Sequence, residues 1–147
     1  MNKYSGKTKR IYVASSWRNQ MQGAIVILLR TAGFEVYDFK ADDGFGWSEI
    51  DPNWKNWTNE DYIKALDHPR ALSGYARDFD AMKWADTFVL VQPCGRSAHL
   101  ELGWACGSGK RTAILLGSEI EPELMAKMAD LVTGNVCDLL DFLGVEN

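Results

Sequence analysis

At 147 residues the chain is about one domain long, enough to bury one core but not two. Its hydrophobic fraction of 46% and charged fraction of 24% are those of an ordinary globular protein, which sets aside disorder, collagen and coiled coil. A net charge of -4 speaks against duplex nucleic acid, whose phosphates call for a basic stripe. Cys94, Cys106 and Cys137 are odd in number and lack CxxC spacing, so neither a disulfide framework nor a zinc site is expected, and a reducing compartment fits. The polar, basic start MNKYSGKTKR precedes no apolar stretch long enough for a signal peptide or a membrane span, so a cytoplasmic location is expected. Six Trp exceed what such a core needs and point to a pocket or an oligomer interface.

In chain order, RIYVAS (10–15) is a short β-rich run, followed by helical spacing through Met21, Ile25, Leu28 and Leu29 and by Gly33 as a C-cap. FEVYDF reads as a second strand. Residues 41–57, ADDGFGWSEIDPNWKNW, carry neither period and read as a long loop. Thr58 with Asp61 marks a helix start, His68-Pro69 breaks that helix, and a second runs through Tyr75, Phe79, Met82 and Ala85 with one apolar face. TFVLVQ (87–92) is a fully apolar strand and PCGRS a tight loop. Residues 98–109 form a helix with Leu102, Ala105, Cys106 and Gly109 toward the sheet, followed by strand RTAILL. EPELMAKM is a short helix, 130–133 a brief edge strand and VCDLLDFL a closing helix. Strands alternating with helices predict a doubly wound α/β fold of the flavodoxin or Rossmann kind: one domain, about five parallel strands, helices on both faces.

Ligands of such sheets bind beyond the carboxyl ends of the strands, at the switch point. That selects Ser15, Ser16, Trp17 and Arg18 after the first strand, and residues 93–101 after the third. Glu101 falls in the first turn or so of a helix that Ser97 is expected to cap, where dipole and free N–H groups favour an ionised carboxylate; acidic residues also stand there for the dipole alone. Asp78 is either a solvated side chain or the acid/base partner of Glu101, whereas Asp86 at a helix-to-strand junction reads as structural. Tyr12 is a half-buried aromatic of the first strand. Ser15, Ser16 and Arg18 offer hydroxyls and a guanidinium fork at a helix start, which suits a phosphate or carboxylate. His99 and Cys94 read as an exposed histidine and a loop thiol.

With these residues in view, RIYVASSWRN, RDFDAMKWADTFVLV and above all GRSAHLELGWACGSGKRTAILL make the chain resemble the nucleoside 2-deoxyribosyltransferase-like superfamily, including its deoxynucleoside monophosphate N-glycosidase branch. The last segment looks like the family's Glu-Leu-Gly-x-Ala helix, in which Gly103 and Ala105 let the helix lie close to the sheet. The resemblance implies that Glu101 attacks the anomeric carbon of a (deoxy)ribosyl group, that Asp78 binds or protonates the leaving base, that Tyr12 orients the nucleophile, and that Ser16 and Arg18 contact sugar or phosphate. Six residues before the glutamate the transferases carry Asp and the monophosphate hydrolases Ser. Here Gly95 stands, with Arg96 or Ser97 as substitutes, which argues against transfer.

Phase-free aromatics of the 41–57 loop, Phe45, Trp47 and Trp54, could sandwich a base or form an interface. The implied partners are a nucleoside or nucleotide and further copies of the chain as a dimer or tetramer. No metal or cofactor is called for, because carboxylates suffice for displacement at an anomeric carbon. Two rival expectations are a TIR-like NAD glycohydrolase and a non-catalytic nucleotide-sensing module.

Overall fold

The computed structural model describes residues 3–4, 6–41, 44–118 and 121–146. Strands β1 (Arg10–Ala14), β2 (Glu35–Asp38), β3 (Thr87–Val91), β4 (Arg111–Leu115) and β5 (Leu131–Thr133) form one parallel sheet in the order β2-β1-β3-β4-β5. This is the flavodoxin-like order, with its switch point between β1 and β3. Period-two alternation divides the core. Ile11, Val13, Val89, Val91, Ala113 and Leu115 pack against helices α1 (Gln22–Thr31) and α5 (Val136–Phe142). Tyr12, Ala14, Phe88, Leu90 and Ile114 face the other way, toward α3 (Pro69–Trp84) and α4 (Arg96–Gly107). All five residues of β3 are buried, as a central strand covered on both faces requires.

Local chemistry explains most boundaries. Thr58 and Asp61 close the capping box of the short helix α2 (Asn59–Ala65). Pro69 opens α3 at the one turn where its missing N–H costs nothing, and the His68 side chain accepts from the Arg70 N–H. Gly33, at φ +103°, ends α1 in a Schellman arrangement, with Gly33 N–H donating to the Arg30 carbonyl and Phe34 N–H to that of Leu29.

Four expectations are corrected. Gly109 lies beyond α4 at φ +77°, and it ends that helix as Gly33 ends α1 rather than facing the sheet. Gly103 is no point of close approach, since a Cβ there would meet nothing within 4 Å; Ala98, Leu102 and Ala105 make the sheet contact instead. Residues 121–128 do not make an α-helix, and only a 3₁₀ stretch, Leu124–Met128, forms there. The 41–57 loop contains two 3₁₀ turns, Trp47–Glu49 and Trp54–Asn56.

Asp86 takes the structural role read for it. Beyond the end of α3, its carboxylate accepts from the backbone N–H groups of Lys9 (3.0 Å) and Arg10 (2.9 Å) and from the Thr87 hydroxyl (2.7 Å). It thereby ties the entry to β1 onto β3. Asp86→Ala strands three donors in a partly hydrated site and is expected to lower the unfolding free energy by about 1–2 kcal/mol in urea titrations, while Asp86→Asn, which keeps one acceptor oxygen, loses less.

Candidate active site

Register places three aromatic side chains in one row. Tyr12 pairs with Tyr37 across β1–β2 and with Phe88 across β1–β3. Its ring stacks on both, at 5.2 Å and 23° from Tyr37 and at 4.9 Å and 22° from Phe88. The phenols at the end of this row each meet a carboxyl. Tyr12, 1% exposed, donates to Glu101, and Tyr37 donates to Asp78 at 2.6 Å.

The two helices that bring these carboxyls present matched stripes. Tyr75, Asp78, Phe79 and Met82 of α3, and Ser97, Leu100, Glu101 and Trp104 of α4, recur at i, i+3, i+4 and i+7 and line one cleft of about 350 Å³. Tyr75 stacks on Phe79 at 5.5 Å and 14°, and Phe79 meets Trp104 edge-on. The cleft is thus an aromatic slot whose acidic groups stand side by side in its wall. The apolar face predicted for α3 is in part this wall: Met82 reaches the core, whereas Tyr75 is 66% exposed.

Burial, the largest influence on Glu101, pushes its carboxyl up to about 7. The Tyr12 hydrogen bond opposes that rise and the charge of Asp78 adds to it. Asp78 is also raised by burial, against the Tyr37 hydrogen bond and the Arg77 guanidinium. Both tyrosines are held protonated, chiefly by burial. Gly95, not Ser97, is the N-cap of α4, and no side chain caps it. Glu101 stands five residues after Arg96, in the second turn, and its environment favours the neutral acid.

Around the end of β1 the expected anion site takes another form. α1 starts at Gln22, well after Ser15, Ser16 and Arg18. The N–H groups of Met21 and Gln22 are taken by the Asn19 side-chain oxygen, whose amide donates to the Val91 and Pro93 carbonyls. Ser15 donates to the Val91 carbonyl at 2.8 Å, Ser16 accepts from the Arg18 N–H, and Trp17 packs edge-on against Phe39. Gly95 has open space where a Cβ would point. Phe45 sits over Gly74, with Arg70 against its ring, and meets Trp47 at 85°; Trp47 meets Trp57 and Tyr62 at 77° and 85°. His99 contacts the Gly95 carbonyl, and burial followed by Glu101 pushes the Cys94 thiol up to about 11, so it is neutral at physiological pH.

Tyr75, Phe79 and Trp104 were legible only as apolar positions, and Tyr37 and Asn19 escaped the sequence reading altogether. Tyr37 carried a usable signal, because register between FEVYDF and RIYVAS sets it beside Tyr12. Asn19 carried only a local one, its oxygen accepting from the Met21 and Gln22 N–H groups, while its two amide bonds depend on where β3 ends. Among the described residues no group of His, Cys, Asp and Glu is disposed to hold a metal ion, and no helix is long and apolar enough to cross a membrane.

No protein-family model and no curated protein matches the chain. Solved structures do. A 2-deoxyribosyltransferase from the psychrotolerant Bacillus psychrosaccharolyticus superposes with a TM-score of 0.59 at 19% identity, over 88% of this chain and 89% of that one. A CMP N-glycosidase from Clostridium botulinum matches with a TM-score of 0.49 at 19% identity, over 92% and 98%. The chain therefore has the fold of a 2-deoxyribosyltransferase, and the resemblance drawn from its motifs holds at the level of architecture.

Because folding raises the Glu101 carboxyl above its ordinary 4.5, the stability linked to it is fully present below that value and is lost as pH rises through about 7. Glu101→Gln removes this loss. The variant is expected to melt on the order of 5 °C above wild type at pH 8.5, with the difference closing by pH 4.5, in thermal unfolding followed by circular dichroism.

Proposed function

We propose that this protein cleaves the N-glycosidic bond of a (deoxy)nucleoside or its monophosphate, with Glu101 as nucleophile and Asp78 as the acid that serves the leaving base. The observation that carries the reading is the pair of carboxyls in one aromatic cleft, each hydrogen-bonded to its own phenol. Carboxyls pushed above their ordinary range, in a slot that can hold a planar ring, suit displacement at an anomeric carbon. The fold shared with a protein described as a 2-deoxyribosyltransferase adds support.

In the proposed first step a Glu101 oxygen attacks C1′ and the electron pair of the C1′–N bond leaves with the base, which takes the proton of Asp78. In the second step water attacks C1′, its proton returns to Asp78, and the ester to Glu101 breaks. Tyr12, donating to Glu101, steadies the carboxylate in both steps. Tyr75, Phe79 and Trp104 supply ring faces and edges for the base, and Ser97 adds a hydroxyl at the same wall. Ser16, Trp17 and Arg18 remain the candidates for sugar or phosphate, with Ser15 shaping their loop. Phe45 and Trp47 form the neighbouring aromatic cluster that backs α3 at Gly74.

Gly95 favours hydrolysis over transfer, because it stands where the resemblance puts an Asp in the transferases. Tyr75 and Leu100, the exposed apolar side chains of the cleft, are where a second copy of the chain would close it. The proposed setting is the cytoplasm, with no metal or cofactor taking part.

Chromatography of free base released from nucleosides, deoxynucleoside monophosphates and NAD, with and without an acceptor base, tests the reading. Wild type is expected to release base from a nucleoside or deoxynucleotide without acceptor; Glu101→Ala loses more than about 10³-fold of that rate, and Asp78→Asn about 10²–10⁴-fold. Release from NAD alone would replace this reading with a NAD glycohydrolase, and binding with no release from any donor would make the protein a nucleotide sensor. The wild-type rate is further expected to follow a bell in pH and to fall as pH rises through about 7, where the last proton leaves the two carboxyls and none remains for the leaving base.

A further inference from the structure

The reaction proposed above needs one proton on the site, carried by Asp78 and not by Glu101. The resting arrangement is the reverse. Glu101 holds its proton up to about 7, and one cause is the negative charge of Asp78, which has ionised first. Two acids that line one cleft, one of them feeling the other's charge, present to chemistry the share of molecules with the proton on the productive partner.

The sheet supplies a device that acts on that share. Tyr12 and Tyr37 are in register on adjacent strands, with rings stacked at 5.2 Å, and each donates its hydroxyl hydrogen to a different carboxyl. A donor hydrogen bond favours the ionised form of the group that accepts it. Tyr12 therefore draws ionisation toward Glu101 and Tyr37 draws it toward Asp78. Their effects oppose each other in one cleft.

We propose that Tyr37 is a positioning residue of this site which, in balance with Tyr12, decides which of the two carboxyls, Glu101 or Asp78, carries the proton they share. This deepens the glycosidic reading and rests on it for its catalytic meaning. The other titratable or charged groups near the pair leave room for this control. From α3, Arg77 lies over the Tyr37 ring at 5.5 Å and is fixed by a 2.6 Å bond to the Ala41 carbonyl. It adds a steady positive field on the Asp78 side. From the loop before α4 comes Cys94, a neutral thiol. The 2.6 Å bond occupies Oδ1 of Asp78, which leaves Oδ2 as the oxygen to carry a proton toward the base. Tyr37 thus selects the oxygen as well as the residue.

The test is carboxyl ¹³C NMR titration of wild type, Tyr37→Phe and Tyr12→Phe, alongside the pH dependence of base release. Tyr37→Phe keeps the stacked ring and removes only the donor. Asp78 is then expected to titrate at higher pH and Glu101, relieved of a fixed neighbouring charge, at lower pH, so that a larger share of the singly protonated molecules is productive and the maximum rate of base release rises. Tyr12→Phe is expected to move the Glu101 titration to higher pH and to lower that maximum rate. Tyr37→Leu, which also lacks the donor, replaces the Phe variant should the latter misfold. A merely structural role for Tyr37 would change melting temperature and total rate and leave both titrations in place; that result, or displacement in the same direction as Tyr12→Phe, overturns the proposal. The titrations need no turnover, so absence of base release in wild type would sink the glycosidic reading while the proton balance is still decided by NMR.

Discussion

Parallel pairing of β2, β1 and β3 in one register is the constraint from which the site follows. Because side chains alternate across a strand, residues paired in register on neighbouring strands share a face. Tyr37, Tyr12 and Phe88 are therefore forced into a stacked row beneath α3 and α4. A slip of one residue in β1 would turn Tyr12 toward α1 and α5, into a core of Ile, Val and Leu where its hydroxyl has no acceptor. The register that buries the correct aliphatic side chains is the same one that aims the phenols.

The row in turn makes two half-buried acids tolerable. A carboxyl taken out of water without a hydrogen bond is costly, and the usual outcome is a neutral group. Here each acid accepts from one phenol, which softens the cost without removing it, and Glu101 settles with its carboxyl near 7. Such a group is poised to change charge at physiological pH, a state that burial in a plain apolar cleft or free exposure would each prevent. The matched i, i+3, i+4, i+7 stripes of α3 and α4 complete the arrangement by placing aromatic and apolar side chains beside the acids.

Stability and site geometry also share the loop that leaves β1. Asn19 uses its oxygen on the first turn of α1 and its amide on the carbonyls at the end of β3. With Ser15 bonded to the same Val91 carbonyl, β1 and β3 are held together at their carboxyl ends, where the switch point opens. Ser15, which reads as a ligand contact, thus carries a structural bond, as a polar group near a strand terminus must when backbone carbonyls there lack partners.

The amino-acid order by itself determined the alternation of strands and helices, the parallel sheet, the caps at Thr58 and Gly33, and the acids Glu101 and Asp78 as a pair, because periodicity, turn chemistry and motif are local properties of the chain. It also located Tyr12. What only the tertiary structure decided depends on contacts between distant segments. Tyr37 became part of the site through strand register, and Ser97 became cleft lining once Gly95 took the cap. The Glu101 carboxyl rose because α4 buried it against β1, where helix position alone had argued for the opposite charge state. Desolvation is a sum over neighbours from every layer of the fold, and no stretch of sequence contains that sum.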